Sequence, residues 1–141
     1  MLIEIKAKVT RLVDNKPKKK VETYLIDTDF FAHAEYNVSL RLSEAEEYSI
    51  QSMKLSTIKE IANQTSGENT FIATLKDIFH DDEGNEKYLR YKVLLWANDL
   101  THANATVHEL AREGYDMQIE GIKQVDYEYL EPENNNLEEN E

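Results

Sequence analysis

The sequence predicts an α+β fold in which a unit of two strands, a helix and a strand (ββαβ) occurs twice within a single domain. Three observations support this prediction: an internal repeat, two pairs of strand-like runs joined by polar turns, and a helical pattern after each pair. One such unit alone would bury too little apolar surface to be stable on its own. We therefore expect the copies to share a core, with two helices packed against one antiparallel-rich sheet or two.

The repeat relates each residue to the residue 69 positions later. Residues 24–55 align with residues 93–124 without a gap, and this alignment contains more identities than the roughly two that chance would give. The identical positions are, in the first copy, Leu25, His33, Ala34, Val38, Glu44, Ile50 and Lys54. The repeats are predicted to cover about residues 1–62 and 70–130, in one domain of residues 1–130.

Each copy is predicted to open with a β-hairpin. The runs "IEIKAKVTRLV" and "KKKVETYLI" are joined by "DNKP", and the runs "FIATLKDIF" and "KYLRYKVLLW" by "HDDEGNE". The connecting segments contain the Asn, Asp, Gly and Pro residues that turns favour.

A helix and a returning strand are predicted to follow each hairpin. Asp29 and Asn98 are the expected N-caps, and Gly114 is a natural stop for the second helix. Apolar residues at helical spacing are expected to face the core: Phe31, Ala34, Val38 and Leu42, and in the second copy Leu100, Ala103, Val107 and Leu110. The strands "SIQSMKLSTIKEI" and "MQIEGIKQVDYEYL" lose their alternation at Ser52 and Gly121, which predicts a β-bulge in both.

The hairpin, the segment "YLIDTDFFAHAE", the helix and the strand together resemble an uncharacterised domain family of small proteins from Bacteroidetes and their phages. The resemblance covers roughly residues 1–130. No activity is known for that family, so the resemblance implies no functional residue. His33 departs from the family's more usual Phe-Thr-Glu-Ala-Glu pattern, which argues against histidine-dependent chemistry.

Composition excludes several chemistries and favours a cytoplasmic protein. The chain has no cysteine, which rules out disulfides, thiolate nucleophiles and cysteine-based metal sites. The N-terminus alternates apolar and charged residues, unlike a signal peptide. The longest apolar run is "VLLWA", far below the roughly 20 residues that span a bilayer.

No motif indicates catalysis, a cofactor or a metal ion. The four glycines form no phosphate-binding or dinucleotide-binding loop, and "HEL" at His108 has Arg112 where a zinc-protease helix needs a second histidine. The turn "HDDEGNE" does not have calcium-loop spacing. His33 and His102 are interpreted as helix-flank residues inherited through the duplication. We therefore expect a non-enzymatic protein.

Charge is distributed unevenly along the chain. Residues 1–66 carry ten basic and ten acidic side chains, whereas residues 67–141 carry six basic and eighteen acidic ones and so account for the net charge of −12. Residues 131–141 are strongly polar and are predicted to form a disordered acidic tail.

The two hairpins are the candidate binding surfaces, and they have opposite charge. The basic candidates are Lys16, Lys18, Lys19 and Lys20, with Tyr24 or Tyr36 as stacking surfaces, and the acidic candidates are Asp81, Asp82, Glu83 and Glu86. A structural alternative is that the lysines only prevent strand-to-strand aggregation, and that acidic groups only aid solubility.

These features lead to two functional hypotheses. The first is a phage-type or prophage-type interaction protein that binds a macromolecular partner, a protein, through its charged hairpins. The alternative is a single-stranded nucleic-acid-binding protein that uses the Lys16–Lys20 hairpin, with the acidic tail competing for that surface. Opposite charges on two hairpins would also allow head-to-tail self-association into a homo-oligomer.

Overall fold

The protein has an α+β fold, as predicted. The structure is a computed structural model that describes the backbone of residues 1–113 and 117–131 and the side chains of residues 1–111 and 117–131. In these residues it has eight strands and two helices: β1 (Leu2–Val13), β2 (Lys16–Asp27), α1 (Phe31–Arg41), β3 (Glu47–Leu55), β4 (Ile58–Ala62), β5 (Asn69–His80), β6 (Glu86–Ala97), α2 (Leu100–Glu113), β7 (Met117–Val125) and β8 (Tyr127–Leu130). Gly114 and the tail beyond Glu131 lie outside the described residues.

The first sheet has the strand order β3-β1-β2-β8. The pairs β1–β2 and β1–β3 are antiparallel, whereas β8 lies parallel to β2. One side of this sheet packs against α1 and is called its helix side. Its core consists of Ile3, Ile5, Ala7, Val9, Tyr24, Ile26, Ala34, Val38 and Leu42.

The second sheet has the order β4-β6-β5-β7, which is the order of the first sheet with each strand replaced by its repeat equivalent. The pairs β5–β6 and β5–β7 are antiparallel, and β4 lies parallel to β6. Its helix side packs against α2 around Phe71, Ala73, Leu75, Val93, Leu95, Ala97, Ala103 and Val107. The duplication predicted from the sequence therefore agrees with the strand order of both sheets.

The final predicted strand of each copy is divided into two strands that belong to different sheets. In the first copy β3 joins the first sheet and β4 joins the second, with only residues 56–57 between them. In the second copy β7 joins the second sheet and β8 joins the first. Each half of the sequence therefore completes its own three-stranded sheet with a strand from the other half.

The contacts divide the chain into two compact units in accordance with this exchange. One unit contains Met1–Ser56 and the segment that begins at Tyr127, and the other is Thr57–Asp126. The unit boundary thus differs from the predicted repeat boundary near residues 62–70. The prediction of one domain over residues 1–130 stays a prediction.

Both predicted bulges are present. The β1–β3 register shifts so that Lys6 pairs with Ser52 and Ala7 pairs with Ile50, which leaves Gln51 extra. In the second sheet Thr74 pairs with Gly121 and Leu75 pairs with Ile119. The extra residue lets apolar side chains on both sides of the bulge reach the same core, which straight alternation would prevent.

The first turns of both helices differ from the prediction. The residue before α1 is Phe30, whose side chain has no acceptor and provides no cap. Asp29 lies one residue too early and accepts a hydrogen bond from the amino group of Met1 at 3.3 Å. The cap of α2 is Asp99 and not Asn98: its Oδ1 accepts the His102 amide N–H at 2.8 Å.

The apolar stripes are correct except at their first positions. Phe31 is 41% exposed and Leu100 is 56% exposed, so neither side chain belongs to the core. The later positions are buried or partly buried as expected, in Ala34, Val38, Leu42, Ala103, Val107 and Leu110. A residue in the first helical turn lies at the margin of the helix–sheet contact, where periodicity alone does not decide burial.

Candidate partner-binding surfaces

The basic hairpin end comprises residues 10–21 and projects past the core of the first sheet. Burial in β1 ends at Val9, and residues 16–21 of β2 are all exposed. Asp14 and Asn15 form the two-residue turn with φ values of 53° and 62°, which is the left-handed geometry of a type I′ hairpin. This tight turn holds the strand register out to its last pair, Val13 with Lys16.

The register divides the four predicted lysines between the two sides of the hairpin. Lys18 pairs with Arg11 and Lys20 pairs with the core residue Val9, so Lys16, Lys18 and Lys20 lie on the helix side. Lys19 pairs with Thr10 and lies on the opposite side. The predicted lysine patch is therefore two smaller surfaces.

Arg11 belongs to an internal network and is not part of the exposed cationic surface. Its Nε and Nη2 donate to the two carboxylate oxygens of Glu22 at 2.9 Å each, and the hydroxyl of Tyr24 also donates to Glu22. The Arg11 guanidinium lowers the pKa of Glu22, while burial raises the pKa of Tyr24. Tyr24 is buried, so the prediction that it provides a stacking surface is wrong. Tyr36 is exposed on α1.

The Glu22 network predicts a specific pH dependence of stability. Because the folded-state pKa of Glu22 is lowered, its stabilising contribution is complete above the ordinary glutamate pKa of about 4.3 and is lost as the pH falls through the folded value. Glu22→Gln is therefore expected to lower the melting temperature at neutral pH but to have a smaller effect at about pH 3.

Thermal denaturation at both pH values measures this effect. Glu83→Gln is the control, since Glu83 is exposed and lies in the acidic turn. An equal effect of Glu22→Gln at both pH values would show that the ionised pair does not contribute.

On the opposite side of the basic hairpin end, Lys8 and Lys19 border a recess. Its volume is about 220 Å³, and its lining includes Thr10, Ser49 and Glu47. Two ammonium groups and two hydroxyls beside one carboxylate provide donors for an anionic ligand.

The acidic hairpin end comprises residues 77–89 and projects from the second sheet. Asp81 is chiefly a turn residue: its Oδ1 accepts the amide N–H groups of Glu83 at 3.0 Å and Asn85 at 2.8 Å. Gly84 provides the left-handed position with a φ of 82°. Asp82, Glu83 and Glu86 are exposed. Three of the four predicted acidic residues thus form an accessible anionic tip.

Exposed apolar side chains accompany the charges on both hairpin ends. Leu12 and Val13 are exposed on the basic hairpin end, and Phe79 and Leu89 are exposed on the acidic one. Leu89 is the most exposed of these, at 62%. Large apolar side chains among charges, on rigid hairpins beyond a core, are typical of protein-binding surfaces.

A cluster of cations around Tyr88 was missed by the sequence analysis. The Lys76 Nζ lies 4.3 Å from the centre of the Tyr88 ring, and the Arg90 Cζ lies 4.9 Å from it. Glu120 accepts two hydrogen bonds from Arg90 Nε at 2.9 and 3.0 Å, and raises the pKa of that arginine. Tyr88 remains 53% exposed. The alternation of Tyr88, Arg90 and Lys92 along one strand was the available sequence signal.

The repeated histidines have different local roles. His102 Nδ1 accepts the amide N–H of Asn98 at 3.1 Å, which supports the start of α2. The His33 ring makes an edge contact with Phe30 at 5.1 Å between ring centres. Among the described residues no group of three His, Asp or Glu side chains is arranged to hold a metal ion.

No helix in the described ranges combines the length and apolar character needed to cross a bilayer.

The family model for a domain of unknown function, DUF4494, matches residues 2–129. No curated protein and no solved structure matches the chain.

Proposed function

The chain belongs to the DUF4494 family, whose function is unknown, and we propose from its own surfaces that it is a non-enzymatic interaction protein that binds a protein partner through its hairpin ends. The observation that carries this proposal is the exposure of Leu12, Val13, Phe79 and Leu89 among charged side chains beyond the two cores. A phage or prophage origin and a cytoplasmic location are part of the proposal.

The charges indicate which kind of partner surface each hairpin end would bind. Lysines share one hairpin end with the exposed Leu12 and Val13. The exposed carboxylates of Asp82, Glu83 and Glu86 share the other with Phe79 and Leu89, where the strand partner of Phe79 is Lys87. Apolar side chains at the centre of an interface provide most of its affinity, whereas the charges around them control association rate and exclude partners of the wrong sign. The basic hairpin end fits an acidic surface, and the acidic hairpin end fits a basic one.

Affinity capture with apolar substitutions tests the proposal. A partner retained by the wild-type chain is expected to bind about tenfold more weakly to the variant in which Phe79 and Leu89, or Leu12 and Val13, are replaced by serine. The matched control replaces Tyr36 and Leu40, which are large hydrophobic residues of comparable exposure on α1. Equal loss of the partner with the control, or equal retention by all variants, would contradict binding through the hairpin ends.

A second candidate function is the binding of single-stranded nucleic acid by the basic hairpin. The recess beside Lys8 and Lys19 favours it, because two cations and the hydroxyls of Thr10 and Ser49 are suited to phosphate. The acidic tail would compete for this surface. The burial of Tyr24 removes one of the two stacking residues that the hypothesis first included.

A further inference from the structure

We propose that the side of the second sheet opposite α2, in its part toward the β5–β6 turn, binds single-stranded nucleic acid, with a base stacked on Tyr88 and phosphates held by Lys76, Arg90 and Lys92. Nearer the core, Ile72 and Leu94 on this side are buried and lie outside the proposed surface. This surface lies in the acidic half of the sequence. It includes Tyr88 of the acidic hairpin end, but on the side opposite Phe79 and Leu89, the apolar residues of the proposed function, on which the inference does not depend.

The strand register brings these side chains to one side of the sheet. Lys76 pairs with Arg90, and Lys92 pairs with Thr74 one step closer to the core. Residues two apart on a strand project to the same side, so Tyr88, Arg90 and Lys92 form a row of about 7 Å spacing between neighbours. Successive phosphates of a single strand have a comparable separation, which lets adjacent cations contact adjacent nucleotides.

The local charge on this side is positive although the whole chain has a net charge of −12. Its strands β5, β6 and β7 carry Lys76, Arg90, Lys92 and Lys123 there, against the carboxylates of Glu86 and Glu120. Glu120 is bonded to Arg90. Lys76 and Lys92 form no ion pair with any residue that the structure describes, so a phosphate would displace no carboxylate from either ammonium group. The Lys76 ammonium lies over the Tyr88 ring and would bind a phosphate from that position.

Tyr88 is suited to receive a base. Its ring is half exposed, and the Lys76 ammonium and the Arg90 guanidinium lie over it in cation–π contacts, so a base would stack on the ring area that these cations leave open. Exposed aromatic rings flanked by cations are the recurrent feature of surfaces that bind single strands without sequence preference. A duplex, whose bases are stacked internally, could not use the ring in this way.

The corresponding side of the first sheet, opposite α1, is also cationic. By register, Lys8 corresponds to Lys76, since Lys8 pairs with Val21 and Ser49 where Lys76 pairs with Arg90 and Gln118. Lys19 takes the place of Tyr88. A cationic surface therefore recurs in both copies, and an aromatic ring is added at this position only in the second.

Titration of the full chain with a labelled oligothymidylate of about 20 nucleotides tests the inference, with fluorescence anisotropy as the measurement. Tyr88→Ala is expected to weaken binding about tenfold, while Tyr88→Phe keeps the ring and should bind like the wild type. Replacement of Lys76 and Lys92 by glutamine removes two phosphate contacts and should reduce the slope of log affinity against log salt by about 1.4.

Matched controls separate this surface from the alternatives. Phe79→Ala removes an exposed ring from the helix side of the same hairpin and should leave binding unchanged. An oligouridylate arm distinguishes RNA from DNA, and either polymer supports the inference. Polyglutamate should not compete at equal charge concentration.

The inference would be overturned by no binding by the wild type at low salt, by equal binding of Tyr88→Ala and the wild type, or by effective competition by polyglutamate. Loss of binding only on replacement of Lys18, Lys19 and Lys20 would also overturn it, and would instead identify the basic hairpin as the site. Protein binding is tested at Phe79 and nucleic-acid binding at Tyr88. The two proposals can therefore fail separately.

Discussion

Deletion of residues 127–141 is expected to unfold the first unit, because it removes β8 and leaves β2 as an open sheet edge. Tyr127, Tyr129 and Leu130 are half-buried, and Leu130 packs against the core of that unit. Their burial and the parallel hydrogen-bond ladder with β2 together contribute about 4 kcal/mol or more, a large part of the stability of a small domain. Urea denaturation followed by circular dichroism measures the loss.

The matched control stops the chain after Glu131 and keeps β8. This variant should denature at the same urea concentration as the full chain. Hydrogen exchange measured by mass spectrometry locates the effect, and amides in β2 should exchange faster in the longer deletion only. A deletion at Asp126 that leaves β2 protected would show that β8 contributes little to the first sheet.

Gly67→Ala is expected to destabilise the second unit by about 2 kcal/mol. A Cβ atom at this position would lie 2.2 Å from the carbonyl carbon of Ala97 and 2.5 Å from the amide nitrogen of Asn98. Both are backbone atoms, so the clash is relieved only by displacement of the chain between β6 and α2. Thermal denaturation measures the decrease in melting temperature.

Gly121→Ala is the control for the glycine substitution itself. A Cβ at residue 121 would meet no atom within 4 Å, so this variant should be neutral or slightly more stable because alanine restricts the unfolded chain. Equal melting temperatures for the two variants would contradict the close approach of Gly67 to the backbone at Ala97.

Local sequence patterns predicted most of the elements of the fold. Turn residues identified both hairpins, and the break in alternation at Ser52 and Gly121 identified both bulges. The patterns did not predict that β4 and β8 join the sheet of the other half. The sheet that a short strand joins depends on pairing with residues far along the chain, here Ile58 with Lys92 and Tyr127 with Thr23. The alternation of apolar and polar residues predicts a strand but does not identify its partner strand.

The candidate surfaces were predicted less completely, because they depend on register. Charge counting identified the lysines and acidic residues of the hairpins. Only the strand pairing shows that Lys18 and Lys19 lie on opposite sides of the sheet. Only the turn geometry shows that the Asp81 carboxylate accepts backbone hydrogen bonds. The contact of Lys76 with Tyr88 joins residues on different strands. These residues belong to a hairpin whose net negative charge favoured its interpretation as an acidic binding surface.

Because β8 comes from the end of the chain and completes the first sheet, the two units become complete in a different order from the one in which their synthesis begins. Residues 57–126 are contiguous, so the second unit has all its strands when Asp126 has been synthesised. The first unit begins earlier but lacks β8 until Leu130 emerges. Until then the edge of β2 is open to pairing with other nascent chains. The half made first is therefore the half completed last.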